Sequence, residues 1–236
     1  LDLNAASDLK EGYYIGVERG ADDPLVQANT PNHGANQWLP HLPGWREQME
    51  QYFAAMLALS RRLCRGLALS LEIDEHYFDP MVNNPMAILR LLHYPPHPID
   101  AQLNQFGCGT HTDWGAITIL LQDDVGGLEV CTAEGEWVEA TPIPGTFVIN
   151  LGDMMARWTN DDYQSTPHRV INRSGKERYS IPFFFDANYH AVVECIPTCQ
   201  SAINPARYPP ITVGEHIIEM YRKTYAKSVQ PEAIVH

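Results

Sequence analysis

Ala116-Ile117-Thr118-Ile119-Leu120-Leu121, then Asp123-Asp124-Val125-Gly126-Gly127, then Leu128-Glu129-Val130-Cys131: the reading of this stretch decides the fold. Two short apolar runs, rich in β-branched residues, flank a cluster of turn formers, which reads as strand, turn, strand. The same punctuation recurs on either side. Residues 88–94, 146–151, 168–172 and 179–185 are further strand-like runs, and Pro142-Ile143-Pro144-Gly145 marks a turn before one of them. Seven or eight short strands spaced this way predict a mainly β fold, a sandwich or jelly-roll barrel.

Helices flank the β region. From Trp45 onward Met49, Tyr52, Phe53, Met56, Leu59, Leu63 and Leu67 recur at helical spacing and predict one long amphipathic helix. A shorter helix is expected after Ile73, with Asp74 as its N-cap. Thr212-x-x-Glu215 reads as a capping box that opens a last helix through Ile217, Ile218, Tyr221 and Tyr225. Residues 1–44, rich in Asn, Pro, Gly and Asp, read as a covering segment without regular structure. The expected organisation is a single domain over 1–236: loop and helices over 1–84, a β core over 85–190, and a loop and helix over 191–236.

The 236 residues carry 16 Lys+Arg against 29 Asp+Glu, a formal net charge of −13. Such a surface repels phosphate backbones and anionic lipid, so neither nucleic acid nor membrane is an expected partner. A small molecule is. Five cysteines form no tight framework, and Cys195 and Cys199 lack matching histidines for a zinc site. Reduced thiols and a cytoplasmic location are expected, because the first residues show no secretory signal pattern. Nothing in the sequence fixes an oligomeric state.

The chemistry begins with His111-Thr112-Asp113. Two positions apart on extended backbone, these side chains share a face and can meet one metal ion. His168 must come from another strand. Two imidazoles and a carboxylate are the ligand set of a non-haem Fe(II) centre, which leaves positions open for O₂ and a chelating co-substrate. A closed zinc site would want four ligands. Alone, H-x-D is weak, and a surface pair plus a hydrogen-bonded histidine explains it equally well. Arg178 and Ser180 are also two apart on a predicted strand. A guanidinium can take a carboxylate bidentately while a hydroxyl adds a bond, so the pair can hold the far end of a dicarboxylic acid. A surface Arg–Glu pair is the plainer alternative.

The run from His111 through Leu128, with Asn150-Leu151-Gly152-Asp153, Ser165-Thr166-Pro167-His168-Arg169-Val170 and Arg178-Tyr179-Ser180-Ile181-Pro182-Phe183-Phe184 in the same order, resembles the isopenicillin-N-synthase-like Fe(II)/2-oxoglutarate dioxygenases. The resemblance implies a double-stranded β-helix (jelly-roll) core and an oxidoreductase that uses Fe(II), O₂ and 2-oxoglutarate. It further implies His111, Asp113 and His168 as iron ligands and catalytic residues, with Arg178, Ser180 and Tyr94 binding the co-substrate. The reaction implied is hydroxylation, desaturation or cyclisation of a small molecule, with release of succinate and CO₂. Two alternatives stay open: a 2-oxoglutarate-independent oxidase of the isopenicillin N synthase or aminocyclopropane-carboxylate oxidase kind, and a non-catalytic metal-binding jelly roll.

Two departures from the family stand out. Leu92 occupies a position where plant members usually have Asn, and the N-terminal strand expected before residue 1 is missing, so the chain is expected to start inside a longer protein. For the substrate, Arg157, Phe183 and Phe185 are the candidates, with a cationic Arg157 favouring an acidic molecule. Asn104, Gln105 and Phe106 are further ones, Trp114 reads as packing beside the triad rather than a substrate platform, and Tyr13 and Tyr14 are a candidate lid.

Overall fold

The computed structural model describes residues 8–98 and 105–225. Its strands in chain order are β1 (Glu11–Gly16), β2 (Ala87–Tyr94), β3 (Cys108–His111), β4 (Ile117–Gln122), β5 (Leu128–Cys131), β6 (Trp137–Glu139), β7 (Val148–Leu151), β8 (His168–Val170), β9 (Arg178–Phe185), β10 (Val192–Val193) and β11 (Ile211–Thr212). The α-helices are α1 (Pro24–Gln27), α2 (Trp45–Ser70), α3 (Asp153–Trp158) and α4 (Val213–Tyr225). From β2 to β9 the chain passes back and forth between two sheets. One runs β1-β2-β9-β4-β7 and the other β3-β8-β5-β6, with every pairing antiparallel. This is the expected jelly roll.

The larger sheet is covered on both faces, which is why β4 reads as a nearly unbroken apolar run. On its outer face Leu89, Ile117, Ile119, Phe183 and Phe185 join Phe53, Met56, Cys64 and Ala68 of α2 in the main core. On its inner face Leu92 and Tyr94 meet Leu128 and Val170 of the smaller sheet, with Leu120 and Val148 packed against them. The inner face of this sheet therefore lines the barrel.

Several expectations need adjusting. The most buried stripe of α2 is Phe53, Met56, Ser60, Cys64 and Ala68, so small residues bring the helix close to the sheet while the larger apolar side chains flank them. Ser60 turns its hydroxyl onto the Met56 carbonyl, 2.8 Å away, and so buries no open donor. No helix follows Ile73. Asp74 accepts instead from the His76 amide at 2.8 Å in a local turn, ahead of a short 3₁₀ turn over Asp79–Met81. The covering segment contains β1, whose Tyr13 and Ile15 face the core while Gly12 and Tyr14 face the other way. The capping box at α4 forms reciprocally: Glu215 Oε2 accepts from the Thr212 amide at 3.0 Å, and Thr212 Oγ1 accepts from the Glu215 amide at 3.2 Å. Among the described residues, no helix is long and apolar enough to cross a membrane.

Candidate active site

β3 ends at His111, and Asp113 lies just beyond it rather than on the same strand. What fixes Asp113 is its backbone: its carbonyl accepts from the Asp153 amide at 2.8 Å, at the first turn of α3. That approach requires Gly152, because a Cβ there would overlap the Gly115 and Asp113 carbonyl oxygens. His168 opens β8 and is registered directly against His111. One ligand atom from each of His111, Asp113 and His168 falls within 4.8 Å of the others. Both imidazole Nε2 atoms face the same carboxylate oxygen, Asp113 Oδ1, at 3.8 Å and 3.7 Å.

The far side of each candidate ligand is already occupied. His111 Nδ1 lies 2.7 Å from the Gly109 carbonyl and His168 Nδ1 lies 3.0 Å from the Thr166 carbonyl. Each Nδ1 therefore carries the proton it donates, leaving Nε2 with its lone pair toward the shared point. Asp113 Oδ2 accepts from Thr118 Oγ1 at 2.6 Å and from Asn150 Nδ2 at 2.7 Å, so Oδ1 is the free oxygen. Two nitrogens and one oxygen converge from one side, as an open three-ligand site requires, and the residues fit a divalent iron. Burial lowers the His168 pKa, as does the neighbouring His111. Burial also pulls on His111, but Cys108, the Gly109 carbonyl and Asp113 together outweigh it and raise that imidazole to about 9, so a metal ion binding there displaces a proton from Nε2. Thr118 and Asn150 were not anticipated as site residues. They pair across β4 and β7, and the hint in the sequence is a polar residue interrupting each apolar run.

The second half of the site lies farther along the inner face. Arg178 is 1% exposed and Ser180 3%. In register, Tyr94 pairs with Arg178, and Ser180 sits between Leu92 and Gln122. The Arg178 guanidinium stacks over the Tyr94 ring, its carbon 4.8 Å from the centroid. Its Nε donates to the Gly126 carbonyl at 2.6 Å and its Nη2 to Gln122 Oε1 at 3.2 Å. The turn Asp123-Asp124-Val125-Gly126-Gly127, with both glycines at positive φ, delivers that carbonyl.

Arg178 Nη1 is buried with no partner, and no carboxylate pairs with the guanidinium among the described residues. A buried cation held only by neutral acceptors fits the carboxylate of an anionic ligand. Burial draws the Arg178 pKa down and pushes the Tyr94 phenol up, with Arg178 and Ser180 opposing the latter. Tyr94 packs beside Gly107, and Cys108 Sγ lies 3.7 Å from His111 Nδ1, so the segment leading into β3 joins this anchor to the triad. Leu92, 9% exposed, fills the wall between with apolar surface and no hydrogen-bonding group.

The substrate candidates divide. Phe183 and Phe185 have no exposed surface and face away from Arg178 and Ser180; the Phe183 ring stands 5.1 Å from that of Phe53 in the α2 core. Phe184, registered against Thr118, takes the inner face instead. Counting by twos from Arg178 and Ser180 leads to Phe184, a parity signal available in the sequence. Arg157 is engaged elsewhere: its guanidinium lies 5.0 Å over the Tyr208 ring and its Nη2 donates to the Pro209 carbonyl. It pins the segment before β11 and is not a free cation at the triad. Tyr13 packs edge-on to Trp45 in the core, so only Tyr14 stands near the inner face. Trp114 packs against Tyr221 of α4, their rings 5.1 Å apart. Asn104 lies outside the described residues.

Comparison with known proteins identifies the family. Residues 85–187 match the 2OG-Fe(II) oxygenase superfamily. A 2-oxoglutarate-Fe(II) type oxidoreductase of Emericella nidulans, hxnY, is 45% identical over 97% of this chain and 67% of its own length. The 2-oxoglutarate-dependent dioxygenase citB of Monascus ruber is 41% identical over 97% of this chain and 71% of its own. A full-length Neurospora crassa protein, solved in complex with alpha-KG and thymine, superposes with a TM-score of 0.83 at 36% identity, covering 94% of this chain and 67% of that one. The chain thus spans about two thirds of the length of these relatives. It belongs to the 2OG-Fe(II) oxygenase superfamily, and so to the oxidoreductases that use Fe(II) and 2-oxoglutarate.

Proposed function

We propose that His111, Asp113 and His168 hold Fe(II), that Arg178, Ser180 and Tyr94 receive the distal carboxylate of 2-oxoglutarate, and that the protein oxidises a C–H bond of a small molecule. The observation that carries this reading is the buried, unpaired Arg178 Nη1, on the same barrel lining as three convergent ligand atoms whose other sides are already hydrogen-bonded. A structural metal site would need no such cation. With metal and co-substrate bound, O₂ reduction is coupled to decarboxylation of 2-oxoglutarate to succinate and CO₂ and to two-electron oxidation of the substrate. The chain's own residues do the positioning. Thr118 and Asn150 hold the Asp113 carboxylate so that Oδ1 faces the metal position, and the Gly109 and Thr166 carbonyls keep the Nδ1 protons in place. Leu92, Leu120 and Val170 keep water from the space beside Arg178.

Hydroxylation, desaturation and cyclisation all follow from this arrangement, and the substrate selects among them. All five cysteines are free thiols, which supports a reducing, cytoplasmic setting. Succinate formation and O₂ uptake, followed with Fe(II) and 2-oxoglutarate, test the reading. Wild type should release one succinate per O₂ consumed, and His168→Ala and Arg178→Gln should abolish and cripple this respectively. Equal rates in all three proteins would refute it.

A further inference from the structure

The barrel lining carries a second arginine that the iron and co-substrate positions do not use. Arg90 lies on the same face of β2 as Leu92 and Tyr94, four residues from the co-substrate anchor, hence roughly 13 Å along the strand. Its guanidinium sits between two rings, its carbon 4.7 Å from the Tyr14 centroid and 4.6 Å from that of Phe184. Phe184 is registered against Thr118, whose hydroxyl holds Asp113 Oδ2, so Arg90 flanks the row that ends at the metal position. Among the described residues Arg90 makes no hydrogen bond or ion pair, and its Nε is buried without a partner.

Two rings flank this guanidinium and leave its N–H edge open to a partner, with Nε buried and unpaired. Arg90 keeps its charge half-buried between the two rings, with no carboxylate beside it among the described residues. Packing alone would not need the charge, since an apolar side chain could fill the same space between Tyr14 and Phe184. A planar fork of donors, oriented and dry on its Nε side, matches a carboxylate bidentately.

We propose that Arg90 is the specificity-determining anchor of the oxidised substrate, and that this substrate is a small organic acid. Its carboxylate would lie on the guanidinium edge while Tyr14 and Phe184 border its apolar part. Arg157, expected from the sequence to play this part, is tied to Tyr208 and Pro209. The proposal rests on the reading of Fe(II) at the triad and 2-oxoglutarate at Arg178.

The test pairs small carboxylic acids with their primary amides, benzoate with benzamide and phenylacetate with phenylacetamide among them. Binding is followed by calorimetry on protein loaded with Mn(II) and 2-oxoglutarate, and substrate-stimulated succinate release by the iron form gives a second readout. Acids should bind wild type at least tenfold more tightly than their amides. Arg90→Gln should erase that preference, and Arg90→Lys should retain part of it; both should still bind 2-oxoglutarate, which shows that the fold and the anchor persist. The proposal is overturned if no acid in the panel outperforms its amide, or if Arg90→Gln keeps the preference. Failure of wild type to bind 2-oxoglutarate would overturn the underlying reading and this proposal with it.

Discussion

Asp113 is nearly buried, and what makes it usable as a ligand is where its second oxygen points. Thr118 and Asn150 both donate to Oδ2, so the carboxylate cannot rotate without breaking two short hydrogen bonds. Replacing either donor, as in Thr118→Val or Asn150→Leu, should weaken divalent-metal binding by roughly 10–100-fold, the range found for outer partners of metal ligands. Mn(II) titration measures this, and an unchanged affinity in both variants would mean that the carboxylate is held some other way. At this scale residue type and spacing alone bring out the cluster of His111, Asp113 and His168 and the shared face of Arg178 and Ser180. The sequence was opaque where a role depends on which neighbour a side chain meets. Thr118 and Asn150 become partners only through the register of β4 and β7, and Arg157 loses its expected role only through Tyr208 and Pro209.

β9 is the element on which the site and the core divide. Alternate residues serve the barrel interior and the α2 core, so a shift of one position exchanges pocket for packing. Phe183→Ala should cost about 4 kcal/mol of stability, as large-to-small changes in a filled core do, without altering which substrate is preferred. Phe184→Ala should do the reverse. Thermal melts and a substrate panel on the two variants separate these outcomes, and a change of preference in Phe183→Ala would contradict the assigned faces.

The edge of the same sheet carries a pH-dependent clamp. His93 Nδ1 and Nε2 each lie 2.6 Å from a carboxylate oxygen, of Glu11 on β1 and of Glu177 just before β9, and these partners raise its pKa. A raised folded pKa means stability that is fully present below the unfolded imidazole value, about 6.5, and lost as pH rises through the folded one. The melting advantage of wild type over His93→Gln should therefore shrink with rising pH; an advantage that grows toward alkaline pH would contradict the clamp. Strand existence was readable for β2, β4, β5 and β9, whose apolar runs are bounded by turn formers. β1 and β3 were not, because Gly12, Gly16 and Gly109 dilute their pattern and their pairing is set by distant strands.

For the whole molecule, the two sheets serve one end: they bring a three-ligand cluster and a buried arginine onto a single lining. Family membership accounts for the pattern of residues, and the geometry shows how the pattern closes into a site. With metal and 2-oxoglutarate in one site, the two should bind with mutual dependence. The most direct test is calorimetric titration of 2-oxoglutarate into the protein, with and without Mn(II), for wild type, His111→Ala and Arg178→Gln. Tight binding should appear only for wild type with metal present. His111→Ala should lose the effect of metal, and Arg178→Gln should bind at least a hundredfold more weakly. Binding of 2-oxoglutarate that is indifferent to both the metal and Arg178 would contradict the account.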